Sequence, residues 1–305
     1  MLYNKYKLIM KRSDKYILYT LRGIGHLTWL REGLRVKLIR LFYDYDKIKS
    51  KEFEIDYFGN IFIGNLNSFI DWRVFFLGAY EKQELEFLKS IIEKIIDPVF
   101  IDIGANIGTH SIYLSNLCEK VYSFEPDNEI KERLDLNIYR NDIGNISTIQ
   151  KAISNCQAIK KFYSPVGANK GTGSLNYNHA PFNNRKQKEV QTVVGDEYIQ
   201  QLKLKKIDLI KIDVEGHEIH TINGLEQTIK KYLPILFIEI SKVSIDKIRN
   251  DTSLIQSINT NYNIFEIKTN IPQFTLFNFS RAKLNVFNWE EIHFNEINII
   301  CFPKR

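Results

Sequence analysis

The stretch Val-Phe-Ile-Asp-Ile-Gly-Ala-Asn-Ile-Gly-Thr-His, residues 99–110, runs an apolar segment straight into a glycine turn and then into helix-forming sequence. An apolar run without strict alternation predicts a strand covered on both faces, as in a parallel sheet flanked by helices. Gly104 permits a tight turn with a ligand close to the backbone, and Gly108 lets the helix start press on the strand. The spacing is GxxxG, not the GxGxxG of a dinucleotide fingerprint, so a pyrophosphate cradle is disfavoured.

The same pattern repeats outward from this unit. Strands are predicted over 99–103, 121–125, 147–151, 207–212, 235–240, 263–268 and 297–302, with helices over 109–117, 127–140 and 216–231. The fold class is therefore α/β, a sheet of about seven strands with helices on both faces. Residues 165–187 concentrate Gly167, Gly171, Gly173, Asn169, Asn176, Asn178, Asn183 and Asn184, the composition of a functional loop or lid. Upstream, residues 53–63 predict a hairpin turning at Gly59-Asn60, and 80–96 carry a helical stripe stopped by Asp97-Pro98. Leu21, Ile24, Leu27, Leu30, Leu34, Leu38 and Leu41 suit an amphipathic helix interrupted at Gly23 and Gly25. The expected division is an N-terminal helical and hairpin extension, 1–97, and a catalytic domain, 98–305.

Composition narrows the class. The chain has 305 residues, 44% apolar and 26% charged, an ordinary globular balance. Neither a spanning apolar run nor a signal-peptide core is present, so the expected location is cytoplasmic. Residues 1–50 hold twelve Lys/Arg against four Asp/Glu, a net +8, while residues 51–305 carry −2. The preferred reading of this basic amphipathic segment is a helix packed over the mouth of the crevice with its lysines solvated, and the lesser one is peripheral contact with an anionic membrane. Cys118, Cys156 and Cys301 have no CxxC spacing and are expected as buried thiols. His26, His110, His179, His220 and His293 are scattered without zinc-ligand spacing.

Three strand ends carry chemistry. Glu125, followed by Pro126, lies at the tip of the second strand about twenty residues after the glycine turn, where an acid accepts hydrogen bonds from both hydroxyls of a ribose. Its bland alternative is an acid at a helix start. The segment IDLIKIDVEGHE, residues 207–218, places Asp213, Glu215 and His217 at the same sheet edge, and the fifth strand ends in Glu239. His217, with an ordinary pKa near 6.5, is the candidate general base, with Asp213 and Glu239 competing. Asp213, Glu215 and Glu239 are also a lesser alternative as hard-oxygen ligands for Mg²⁺.

DIGANIG (102–108), SFEP (123–126), IDLIKIDVEGHE (207–218) and IEI (238–240) together resemble the FkbM-type methyltransferases, and Gly78-Ala79-Tyr80-Glu81 is similar to the segment preceding the first strand in that family. The resemblance covers residues 55–240 well. It implies the Rossmann-like seven-stranded methyltransferase fold, S-adenosylmethionine as cofactor, and methyl transfer to a hydroxyl of a sugar, glycan or secondary metabolite. It implies that Asp102, Gly104, Asn106 and Gly108 line the methionine end of the cofactor, with Glu81, Ala105, Thr109 and His110 beside them. Glu125 and Pro126 would hold the ribose, Lys151-Ala152-Ile153 would border the adenine, and Asp213 would lie under the sulfonium. An aromatic and Asn-rich lid with Tyr163, Tyr177 and Phe182 suits a sugar ring.

Three rival readings are weaker. A nucleic-acid methyltransferase would need an Asn/Asp-Pro-Pro-aromatic tetrad or a Pro-Cys nucleophile, and neither is present. An NAD-dependent enzyme calls for GxGxxG. A non-catalytic nucleoside-binding scaffold acting through the basic N-terminus would call for a damaged crevice, and the strand ends are intact. No motif bears on oligomeric state.

Overall fold

The computed structural model describes residues 12–167, 172–177, 185–250, 258–269, 282–289 and 296–304. In chain order these form α1 (Arg12–Gly25), α2 (Glu32–Arg40), β1 (Glu52–Tyr57), β2 (Asn60–Asn65), α3 (Phe69–Leu77) and α4 (Lys82–Ile92). There follow β3 (Val99–Ile103), α5 (Thr109–Ser115), β4 (Lys120–Phe124), α6 (Asn128–Arg140), β5 (Ile146–Ile149), β6 (Ala152–Ser154), β7 (Ala158–Pro165) and β8 (Arg185–Val194). The remainder is α7 (Gly195–Gln201), β9 (Leu209–Ile212), α8 (Glu218–Gly224), α9 (Glu226–Tyr232), β10 (Ile235–Ser241), α10 (Lys242–Asn250), β11 (Tyr262–Thr269), β12 (Ala282–Val286) and β13 (Glu296–Pro303).

The main sheet runs in the order β12-β11-β13-β10-β9-β3-β4-β5. Strands β10, β9, β3, β4 and β5 are parallel, while β13, β11 and β12 are antiparallel to their neighbours. Eight strands replace the expected seven; the addition is the edge strand β12, whose AKLNV sequence has no apolar run to announce it. Successive residues of one strand feed different cores. Phe100, Leu209 and Phe237 join a cluster with α3 to α6, while Ile101, Ile210 and Ile238 join one with α7 to α10. That two-sided burial is why these strands read as continuous apolar runs. The predicted helix over 216–231 is two short helices, α8 and α9, meeting at Leu225.

Two further features depart from expectation. β6, β7 and β8 form a separate three-stranded sheet between β5 and α7, so the Gly/Asn-rich loop is the far end of a hairpin. The N-terminal leucine stripe does not lie on one helix: the chain turns between α1 and α2, Leu21 and Ile39 are buried, and Leu38 and Leu41 are exposed. Gly23 sits within α1, and Gly25 ends it against α3, where a Cβ would stand 1.9 Å from the Phe76 carbonyl oxygen. The buried Arg35 guanidinium donates to the Gly25 carbonyl. Leu18, Leu21 and Ile39 share one core with Phe75, Phe76 and Phe100. These helices pack on the α3 side, and none of residues 12–50 lines the cavity described below. Among the described residues no helix is long and apolar enough to cross a membrane.

Candidate active site

Strand order reverses at β3. The chain steps outward through β4 and β5, then returns to β9 on the other side of β3, leaving a crevice at the carboxyl ends. A cavity of about 820 Å³, open to solvent, occupies it. Its wall takes Gly104 and Asn106 from the β3 tip, Glu125 to Asp127 from the β4 tip, Lys151 to Ile153 after β5, Asp213 to Glu215 and His217 after β9, and Glu239 from β10. Tyr80, Thr172, Gly173 and Leu175 close the remaining sides.

Backbone conformation fixes the β3–β4 end of the cavity. Asn106 holds φ +53°, a left-handed geometry that Asn tolerates better than most side chains, and its amide donates to Glu125 Oε2 at 3.0 Å. The Asp127 amide donates to Glu125 Oε1 at 2.8 Å. Each carboxylate oxygen is thus half-used, with a further lone pair for a ligand hydroxyl. Burial pushes the Glu125 carboxyl up to about 8. The helix-start role weighed for Glu125 belongs to Asp127, whose Oδ1 accepts from the Glu129 amide at 3.0 Å. Asp127 also receives the Ser164 hydroxyl at 2.9 Å and the Lys188 ammonium at 2.7 Å, tying the second sheet to the β4 tip. Asp127→Ala is therefore expected to lower stability by about 1–2 kcal/mol, seen as a drop in the urea midpoint.

Both glycines are held by close packing. At Gly104 (φ +85°) a Cβ would lie 1.7 Å from the Asp213 carbonyl oxygen, so the β9 tip packs directly on a turn that also lines the cavity. At Gly108 (φ +87°) a Cβ would lie 2.2 Å from Leu134 Cδ1, so α6 rather than the strand presses there.

Of the expected cofactor residues, Gly104, Asn106, Glu125, Pro126, Ala152 and Asp213 line the cavity; Glu81, Asp102, Ala105, Gly108, Thr109 and His110 do not. Ala105 is buried with its amide on the Phe124 carbonyl at 3.0 Å, and the Thr109 carbonyl accepts from Tyr57 at 3.1 Å. Asp102 is buried beneath the glycine turn and accepts from Ser111 at 2.5 Å. Lys211, unnoticed in the sequence, is 2% exposed and donates to Asp213 Oδ2 at 2.7 Å. The charges of Asp213, Asp102, Glu81 and Glu239 hold its ammonium above the usual lysine range against the opposing cost of burial. A lysine inside the apolar run IDLIKI was the available signal, since a buried charge requires partners. Glu81, in left-handed backbone at φ 52°, is pushed up to about 7 by burial, with Asp213 reinforcing and Lys211 opposing.

At the reaction end, His217 is buried and its Nε2 lies 3.0 Å from Ser154 Oγ. Burial, then the charges of His220, Lys160 and Lys247, lower it to about 3. Asp213, Glu215 and Glu239 do not form a metal cluster. Among the described residues, the His/Cys/Asp/Glu group whose ligand atoms lie within 4.8 Å of one another is Glu81, Glu84 and His110. The described part of the expected lid, 172–177, is fastened over the β9 turn: Ser174 pairs with Tyr163 and its hydroxyl donates to the Glu215 carbonyl. Asn169, Gly171, Asn178, His179, Phe182, Asn183, Asn184 and His293 lie outside the described residues. Cys118 and Cys301 are buried as expected, whereas Cys156 is exposed on the turn into β7.

Comparison with known proteins agrees with this architecture. Residues 102–268 match the methyltransferase FkbM domain, more than half of the chain. Over 161 residues the chain is 28% identical to the hexuronic acid methyltransferase AglP of Haloferax volcanii, covering 52% of this chain and 62% of that protein. The FkbM methyltransferase structure from Methylobacillus flagellatus superposes with a TM-score of 0.42 at 13% identity, covering 95% of this chain and 60% of the other. TYW2 of M. jannaschii, solved with AdoMet, gives 0.40 at 13% identity, covering 85% and 88%. The chain belongs to the FkbM methyltransferase family, and it spans less than two thirds of the length of the curated relative it matches.

The residues present fit S-adenosylmethionine, the cofactor that the family's motifs imply. Glu81 Oε2, Glu84 Oε2, Asp102 Oδ1 and His110 Nε2 are buried without a hydrogen-bond partner, with His110 Nε2 3.9 Å from Glu81 Oε2, although none of these residues lines the cavity itself. Orphaned carboxylate oxygens call for a cation or a donor, and S-adenosylmethionine carries an ammonium and a sulfonium.

Proposed function

We propose that this chain methylates a hydroxyl oxygen of a sugar or a sugar-containing acceptor. The observation that carries the reading is one cavity with a ribose-type acid, Glu125, at one end and Asp213, Glu239 and His217 at the other. The sugar assignment draws on the hexuronic acid methyltransferase relative and on Asn176 and Tyr177, which line a neighbouring pocket, the Tyr177 ring being held edge to face by Tyr163 at 5.2 Å. Residues 98–305 form the catalytic unit in this reading, with 1–97 an extension packed on it.

When bound, the cofactor supplies a methyl group on a sulfonium, open to in-line displacement by an acceptor oxygen. Glu125 accepts the two ribose hydroxyls on its remaining lone pairs, and Lys151 to Ile153 border the base. Glu81 and Asp102 balance the positive charge of the methionine end. Thr172, Gly173 and Leu175 exclude water from the reacting oxygen. Its proton passes to a carboxylate oxygen of Asp213 or Glu239 on the cavity wall, because burial and the charges of His220, Lys160 and Lys247 oppose a positive charge forming on His217, whereas a carboxylate is neutralised by the proton. His217→Ala is accordingly expected to retain methyl transfer within about tenfold and to keep the wild-type pH profile; a loss of about 10²–10⁴-fold would restore the histidine as base.

The function is tested by incubating the full chain with methyl-labelled S-adenosylmethionine and a panel of hexoses, uronic acids and sugar phosphates. Alkali-stable label on a sugar is the expected result. Label released by mild alkali marks an ester and overturns the hydroxyl assignment. S-adenosylhomocysteine binding without transfer to any sugar overturns the sugar assignment.

A further inference from the structure

We infer that the acceptor carries an anionic group, a carboxylate or a phosphate, received by a basic side pocket opening off the reaction cavity; the inference rests on the sugar-methylating reading above. The side pocket encloses about 530 Å³ of open space and shares His217 and Leu175 with the main cavity. Its polar wall is Lys160 of β7, Asn176 and Tyr177 of the loop, His217 and His220 around the start of α8, and Lys247 of α10; among the described residues no Asp or Glu lines it. These groups come from four separate parts of the chain, so their convergence is a product of the fold.

The electrostatics point the same way. The His217 and His220 rings lie 4.7 Å apart, tilted by 31°. Both are lowered, by burial first, and Lys160 and Lys247 push each further while no carboxylate opposes them. Among the described residues neither lysine has an acidic partner within 4.0 Å. Four nitrogen-bearing groups that repel one another's protons, grouped beside a reaction centre, form an unbalanced positive recess. A carboxylate or phosphate entering it gains charge-assisted hydrogen bonds from both ammonium groups and relieves their repulsion. Asn176 and Tyr177 add neutral polar contacts for the ring that bears the anion. The oxygen to be methylated then lies in the main cavity while the anion is held next door, which fixes which hydroxyl is presented.

The test uses the full chain saturated with S-adenosylhomocysteine and three probes, D-glucuronate, glucose 6-phosphate and D-glucose, with binding read by saturation-transfer NMR titration. At least one anionic sugar is expected to bind about tenfold or more tightly than glucose, and the tighter of the two identifies carboxylate or phosphate as the recognised group. Lys160→Gln/Lys247→Gln is expected to erase that preference without altering S-adenosylhomocysteine affinity, whereas Lys161→Gln, an exposed neighbour outside the pocket, keeps it. Equal binding of neutral and anionic sugars, or a preference that survives the double substitution, overturns the inference alone. Failure of S-adenosylhomocysteine itself to bind overturns the methyltransferase reading and this inference with it.

Discussion

A Glu125→Ala variant is expected to bind S-adenosylmethionine and S-adenosylhomocysteine about 10²–10⁴-fold more weakly than the wild type while remaining folded. Two hydrogen bonds to a charged acceptor are at stake, each about 1.5–3 kcal/mol, and about 1.4 kcal/mol corresponds to tenfold in affinity. The carboxyl is also the anchor for the Asn106 and Asp127 amides, so its removal loosens the turn that shapes the site. Calorimetric titration of both proteins, with NAD as comparator, measures the loss; a change of only a few-fold would sink the ribose assignment.

The same group sets a pH dependence. Burial raises Glu125 from 4.5 to about 8, so in the ligand-free chain the anionic acceptor is a minority below that pH. Cofactor affinity should therefore rise from about pH 6 to about pH 9 in the wild type, and the Glu125→Gln variant should lack that rise. Stability responds in the opposite sense. The folded chain holds this proton more tightly than the unfolded chain, so ligand-free stability is full below 4.5 and declines as pH rises through about 8. Denaturant midpoints across that window, in wild type and Glu125→Gln, separate the two effects.

Lys211→Met should carry the largest stability cost among the substitutions considered. Its ammonium is 2.7 Å from Asp213 Oδ2, and Asp102, Glu81 and Glu239 also contribute to holding its proton. Removing one partner of a buried ion pair typically costs about 3–5 kcal/mol, which for a chain of 305 residues is roughly 5–8 °C in melting temperature. The sign with pH is specific. Without the lysine, buried Asp102 and Glu81, both already raised by burial, lose an opposing positive charge and rise further. The deficit should therefore be smaller near pH 5 than near pH 8. A Lys211→Met/Asp213→Asn double variant should recover part of the loss, since it removes both charges of the pair. A single variant that melts within about 1 °C of wild type would show that the lysine is not the counter-ion of this cluster.

Much of this architecture could be read from the chain because buried parallel strands leave a strong mark. Val99–Ile103, Lys120–Phe124, Leu209–Ile212 and Ile235–Ser241 each sit between two helical layers, and their tips carry Asn106, Glu125, Asp213 and Glu239. The strands that escaped notice have wet faces. β7 (AIKKFYSP) and β8 (RKQKEVQTVV) carry runs of Lys, Gln and Glu on either side of a Gly/Asn-rich stretch, and those signals favoured a loop. α3 escaped for the opposite reason: Phe69–Leu77 is buried nearly all round, so it has no polar face to give a helical period. His217 illustrates a deeper limit. Its position at the sheet edge is local information, but the lysines that lower its proton affinity come from β7 and α10. A base assigned from an unperturbed pKa cannot anticipate charges delivered by distant segments.

The missing side chain at position 104 has a wider consequence. Because the Asp213 carbonyl fills the place a Cβ would take, the turn after β3 and the loop after β9, which in the proposed reading face the nucleoside and the acceptor, touch backbone to backbone. Nothing soft lies between them to absorb a shift. Steady-state kinetics on variants at either loop will therefore not sort into binding defects and turnover defects: damage on one side will register in KM and kcat together. Only substitutions on the far side of the cavity, around residues 172–175 and the basic side pocket, are free to alter acceptor choice while leaving the methyl donor's affinity where it was.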